Sequence, residues 1–134
     1  MPPSLPLVVE DGLLAVCRLP PDAPLPPWAG RAHRFLTVSR TPEELSITAD
    51  AELVPLEAPC ERGYRGIKVE GTLALDLVGV LASIAGPLAE SRIPIFAIST
   101  YGTDYVLVKA ADLARAVEAL ERAGHRVRGF DPGE

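Results

Sequence analysis

Residues 64–128, YRGIKVEGTLALDLVGVLASIAGPLAESRIPIFAISTYGTDYVLVKAADLARAVEALERAGHRVR, decide the fold. Over 65–71, Ile67 and Val69 fall on one face and Lys68 and Glu70 on the other, the alternation of a half-solvated strand. Leu77, Val80, Leu81, Ile84 and Leu88 then recur at three- and four-residue steps, which predicts a helix laying an apolar stripe on a sheet. Asp76 is its expected N-cap. Pro87 lacks an amide proton and predicts a kink or an early end near Gly86. Residues 93–99, IPIFAIS, and 104–108, DYVLV, read as two antiparallel central strands around a turn at 100–103. Leu113, Ala116, Val117 and Leu120 mark a second amphipathic helix, with Asp112 near its start and Gly124 just past its end. Residues 125–128 close the series as a short edge strand. The order β-α-β-β-α-β is the ferredoxin-like arrangement.

Working back toward the N-terminus, the character changes. Eleven of the 14 prolines precede residue 60, and they concentrate in LPPDAPLPPWAG, 19–30, a connector onto which Trp28 is expected to fold as a plug. Residues 5–9 and 13–19 predict two strands joined as a hairpin around Glu10-Asp11-Gly12. Residues 33–39 read as a strand. Thr41-Pro42-Glu43-Glu44 has the form of a capping box and predicts one helical turn. Leu45 and Ile47 then alternate with Ser46 and Thr48 as in a strand. Pro55 and Pro59 flank a segment without periodicity, so the expected boundary lies within 52–63, dividing the chain into an N-terminal lobe, 1–60, and a C-terminal domain, 61–134.

Composition narrows the function classes. At 134 residues, 48% hydrophobic and 23% charged, the chain has ordinary globular composition and is too short for two large domains. Eighteen acidic residues outweigh 13 scattered basic ones, so no basic surface is expected to neutralise phosphates and nucleic acid is disfavoured. No apolar run approaches the roughly 20 residues that span a bilayer, so no membrane insertion is expected. Residues 1–12, MPPSLPLVVEDG, lack the charged flank and apolar run of a signal peptide, which makes the cytoplasm the expected compartment. Cys17 and Cys60 lie too far apart for a redox pair and read as reduced, buried thiols. His33 and His125 stand alone in the sequence, so neither a structural metal nor a cofactor is expected. No nucleophile elbow, phosphate loop or dinucleotide fingerprint occurs, and the chain does not read as an enzyme.

Residues 70–120, EGTLALDLVGVLASIAGPLAESRIPIFAISTYGTDYVLVKAADLARAVEAL, resemble small ACT-domain proteins related to CASTOR-type arginine sensors and, more remotely, the regulatory domains of aspartate kinases. A glycine at the helix start, Gly-Pro near the helix end, the IPIFAIST strand and the TDYVLV strand carry the resemblance in order. It implies an α+β protein of two ferredoxin-like (ACT) lobes, the second βαββαβ, the first strand-rich and degenerate. It also implies a regulatory, allosteric sensor that binds a free amino acid non-covalently. Lobe sheets this small leave apolar faces and edges that pairing can cover, so a homodimer is the expected assembly. The rival reading is a ligand-free interaction or dimerisation module that docks to a metabolic enzyme.

In such a lobe the loop at the first helix and the central hairpin converge, which makes Asp76, Leu77, Val78, Gly79, Val80, Ser99, Thr100, Tyr101 and Asp104 the candidate ligand-binding residues. Unpaired amides at a helix start suit a carboxylate, and Gly79 allows close approach. Asp104 suits an ammonium or a cationic side chain, and Ser99, Thr100 and Tyr101 offer hydroxyls. Each has a plainer role: Asp76 as a cap, Gly79 as a packing residue, Asp104 as a turn residue, and Tyr101 with Tyr105 as half-buried sheet residues.

Overall fold

The computed structural model describes residues 4–71, 73 and 78–132. Among these residues eight strands and two α-helices run in chain order: β1 (Pro6–Val9), β2 (Leu14–Leu19), β3 (Leu36–Arg40), β4 (Leu45–Asp50), β5 (Cys60–Val69), α1 (Val80–Glu90), β6 (Phe96–Ser99), β7 (Asp104–Lys109), α2 (Leu113–Arg122) and β8 (Arg126–Arg128). Two compact units result, one of residues Gly12–Tyr64 and one joining the residues up to Asp11 with those from Arg65 onward. This grouping differs from a division at 60/61, because β1 pairs with β5 and β8 and so belongs with the later residues. For the same reason the expected hairpin around Asp11-Gly12 does not form: β1 and β2 never pair with each other.

In the 12–64 unit the strand order is β3-β4-β2-β5. Register puts Ala15 opposite Ala49, Cys17 opposite Ile47 and Leu19 opposite Leu45, so one face of the pair is apolar. Trp28 and Ala29, on a 3₁₀ turn after the prolines, pack into that cluster, as the plug reading expects. Arg40 ties the proline-rich segment down through the carbonyls of Pro21 and Ala23. Residues 41–44 form the loop between β3 and β4, not a helical turn. Thr41 Oγ1 accepts the amides of Glu43 and Glu44, both at 3.2 Å, while Thr41 N–H donates to the Glu44 carbonyl at 2.9 Å. The capping chemistry is present, but five-residue pairing of β3 with β4 claims the flanking backbone.

The cysteines depart from the sequence reading. Antiparallel pairing sets Cys17 of β2 directly opposite Cys60 of β5, 4.1 Å apart at Cα, and they form a disulfide. A separation of 43 residues says nothing about proximity once two strands are in register.

In the other unit the sheet order is β8-β1-β5-β7-β6, a βαββαβ motif with β1 inserted between its first and last strands. Among the described residues β6 pairs with β7 alone and is an edge strand, not a central one. Helix α1 buries Val80, Ile84 and Leu88, and α2 buries Leu113, Ala116, Val117 and Leu120. Each fully buried Leu or Ile contributes roughly 1.5–3 kcal/mol. Both helices end in a Schellman motif: Ile93 N–H bonds the Leu88 carbonyl with Arg92 left-handed at φ 58°, and His125 N–H bonds the Leu120 carbonyl with Gly124 at φ 101°.

Helix α1 runs through Pro87 to Glu90 instead of stopping at it. Proline cannot donate to the carbonyl of Ser83, four residues earlier. His125, only 4% exposed, takes over: its Nδ1 accepts the Leu5 amide at 3.0 Å, so Nε2 carries the proton and donates to Ser83 O at 2.9 Å. The helix starts later than expected, with Gly79 in the N-cap position at φ 84°. Asp76, the expected cap, lies outside the described residues.

Candidate functional site

The hairpin of β6 and β7 pairs Ser99 with Asp104, and Ser99 Oγ donates to Asp104 Oδ1 at 2.6 Å. Between them, Thr100 N–H donates to the Thr103 carbonyl at 2.9 Å and Thr103 N–H to Thr100 Oγ1 at 3.3 Å, which fixes the turn. Thr103, buried, anchors the turn to the sheet by donating from Oγ1 to Val69 O at 2.7 Å. Leu73 N–H reaches the Gly102 carbonyl at 2.7 Å, tying the segment after β5 to the tip of the hairpin.

These contacts bring the hairpin to the start of α1 and leave a cavity of about 340 Å³ between them. Six of the sequence-predicted residues line it: Gly79, Val80, Ser99, Thr100, Tyr101 and Asp104. Val78 does not line it and is 91% exposed. Asp76 and Leu77 lie outside the described residues. Sequence reasoning missed Leu73, Leu81, Ala82 and Thr103, which also line the cavity. Leu81 and Ala82 complete the helix's first turn, and Thr103 precedes Asp104, so both lay one step from residues already singled out.

The two walls carry opposite electrostatic character. On one side the first helical bond runs from Ser83 N–H to Gly79 O, so the amides of Val80, Leu81 and Ala82 have no intrahelical acceptor, and among the described residues no side chain caps them. On the other, Asp104 commits Oδ1 to Ser99; among the described residues Oδ2 has no hydrogen-bond partner. Partial positive charge thus faces a carboxylate across a space sized for a small molecule. Tyr101, 83% exposed, stands at the rim rather than in the sheet.

In the 12–64 unit the ligand atoms of His33, Asp50 and Glu52 lie within 4.8 Å of one another. The buried Asp50 carboxylate accepts three amides there: His33 and Arg34 at Oδ2, 3.1 and 3.2 Å, and Phe35 at Oδ1, 3.0 Å. Burial pushes this carboxyl up, but the three amides and the His33 ring 3.3 Å away outweigh it and hold it below its ordinary value. Most of its lone-pair capacity is spent, which makes Asp50 a clamp on the chain entering β3 rather than an open metal ligand.

Residues 60–122 match the family model of the ACT domain, and residues 12–57 match a second model, described as an N-terminal domain. The cytosolic arginine sensor for mTORC1 subunit 1 of Pongo abelii is 28% identical over 128 residues, covering 90% of this chain and 39% of that protein. This chain therefore spans about two fifths of that relative's length. The crystal structure of protein Atu0741 from Agobacterium tumefaciens is 30% identical, covers 96% of both chains and superposes with a TM-score of 0.89. The ligand-free regulatory subunit of aspartate kinase from Thermus thermophilus shares the fold at 11% identity, with a TM-score of 0.64 over 90% of this chain and 99% of that one. A family model over β5 to α2 and a relative 30% identical over 96% of both chains agree: the chain belongs to the ACT-domain family, is similar to the arginine sensor and shares the fold of the aspartate kinase regulatory subunit.

Proposed function

We propose that this protein is a regulatory, non-enzymatic sensor that binds a free amino acid non-covalently in the cavity between α1 and the β6–β7 hairpin. The observation that carries the reading is the cavity of about 340 Å³ that sets helix-start amides without an intrahelical acceptor opposite Asp104. An amino acid is a zwitterion, and it can give its carboxylate to the amides and its ammonium to Asp104. A cationic side chain suits Asp104 equally well, and a relative named as an arginine sensor supports arginine as the first ligand to try. A binding role rather than catalysis is supported by the ACT-domain match and by the relative named as an arginine sensor. His125, the buried imidazole of the same unit, spends both ring nitrogens on structure. The cytoplasm is the proposed compartment and a homodimer the proposed assembly, the latter supported by the place of β6 at one end of the sheet.

Thermal melts in the presence of each of the twenty amino acids test this. A ligand at about 100 times its Kd stabilises the native state by roughly 2.7 kcal/mol, several degrees for a chain of this size. Arginine is expected to raise Tm. A flat response to all twenty at 10 times the protein concentration and again at about 10 mM, where even millimolar Kd values register, would leave the interaction-module reading in its place.

A further inference from the structure

The disulfide closes a loop that holds nearly the whole 12–64 unit. Cys17 sits in β2, the unit's first strand, and Cys60 opens β5, its last; β3, β4 and the Trp28 turn lie between them. The core of this unit is small, eight buried apolar residues including Cys17 itself and Trp28. A β unit of this size buries too little surface to be robust alone, and small domains of this kind rely on covalent closure. The two cysteines are also unequal in exposure: Cys17 is 1% exposed, while Cys60 is half-buried.

We propose that Cys17–Cys60 is a reversible redox switch, opened at Cys60 by a dithiol reductant, whose reduction loosens the 12–64 unit while the βαββαβ unit stays folded. One thiolate of the reductant attacks Cys60 Sγ, the Cys17–Cys60 bond breaks, and Cys17 leaves as a thiolate that takes up a proton. The second thiol of the reductant then displaces Cys60 from the mixed disulfide. The products are a cyclic disulfide and two protein thiols, two electrons and two protons having passed from reductant to protein. The buried Cys17 is a poor site for the first attack, which directs the chemistry to Cys60. Closing a loop of 43 residues shifts an unfolding equilibrium by about a thousandfold, so its loss weighs heavily on a unit this small.

Amide hydrogen exchange on the intact chain, with and without dithiothreitol under native conditions, is the test, with free thiols counted in the same samples. The expected result is two thiols after reduction and a fall of about two to three orders of magnitude in protection across β2 and β4. Protection in α1, β7 and α2 is expected to hold within about threefold, and re-oxidation by glutathione disulfide is expected to restore β2 and β4. Three results overturn the proposal: no thiols until the chain is denatured, two thiols with unchanged protection, or an equal loss of protection in both units. The Cys17→Ser, Cys60→Ser double variant adds a check without reductant, since it should reproduce the reduced pattern.

Discussion

The imidazole of His125 donates from Nε2 to the carbonyl oxygen of Ser83 at 2.9 Å, supplying the hydrogen bond that Pro87 cannot make. A residue 38 positions after the proline thus completes the helix that the proline interrupts. His125→Phe would leave both the Ser83 carbonyl and the Leu5 amide unpaired, and it is expected to destabilise by about 2–5 kcal/mol. Pro87→Ala restores an amide opposite Ser83, so the same histidine change should cost about 1–3 kcal/mol less in that background. Urea unfolding of the four proteins in the cycle measures the coupling. A coupling of zero would mean that His125 does not stand in for the missing amide.

Arg92 holds a left-handed conformation at the end of α1, where the equivalent position of α2 is Gly124. Left-handed backbone costs an L-residue roughly 1–2 kcal/mol, part of which glycine gives back through its more flexible unfolded chain. Arg92→Gly is therefore expected to stabilise by about 0.5–1 kcal/mol. A loss of stability on chemical denaturation would show that the arginine side chain makes a contribution larger than its backbone strain.

Asp104→Asn keeps an oxygen for Ser99 but removes the charge facing the cavity. Hydrogen bonds to charged groups contribute about 1.5–3 kcal/mol, so arginine affinity should fall roughly 10- to 150-fold with the fold intact. Calorimetric titration of both proteins decides it. Unchanged affinity together with a lower Tm would make Asp104 a hairpin residue and nothing more.

Asp50 gives a pH signature. Its carboxyl is held below the ordinary value of 3.8, so it releases its proton more readily folded than unfolded. The stability this contributes is complete above about pH 5, and it is lost as pH falls through 3.8 toward the folded value. Unfolding free energies measured from pH 6 to 2 should show this loss, and Asp50→Asn should flatten it while lowering stability at pH 6 by about 1–3 kcal/mol. Parallel curves for the two proteins would assign the acid sensitivity elsewhere.

The β-α-β-β-α-β order was legible because each element carries its own period: alternation in β5, three-and-four spacing in α1 and α2. Long-range pairing was not. Glu10-Asp11-Gly12 looks like a hairpin turn locally, yet β1 prefers β5 and β8 as neighbours, and no local signal reports that choice. The same blindness hid the disulfide, since Cys17 and Cys60 meet only through the register of β2 and β5. Thr41 was read correctly as a capping hydroxyl and incorrectly as a helix start, because turns and helix N-termini share their first hydrogen bonds. At the site, Gly79, Val80, Ser99, Thr100, Tyr101 and Asp104 meet because a βαββαβ lobe places a helix start beside the central hairpin, whereas Leu73 reaches the cavity through a loop with no pattern to read.

The insertion of β1 between β5 and β8 sets a timetable for a chain emerging from the ribosome. β1 is made first but must wait, because one neighbour is β5 and the other, β8, ends at Arg128. Leu5 stays without its partners His125 and Arg126 until those residues, 120 and 121 positions later, have been made. By contrast, β2, β3, β4 and the residues of β5 that pair with β2, Cys60, Glu61 and Tyr64, have all been made once residue 64 has appeared. The 12–64 unit can therefore assemble during synthesis while β1 remains unpaired, and the unit that β1 joins is completed only after β8 has been made.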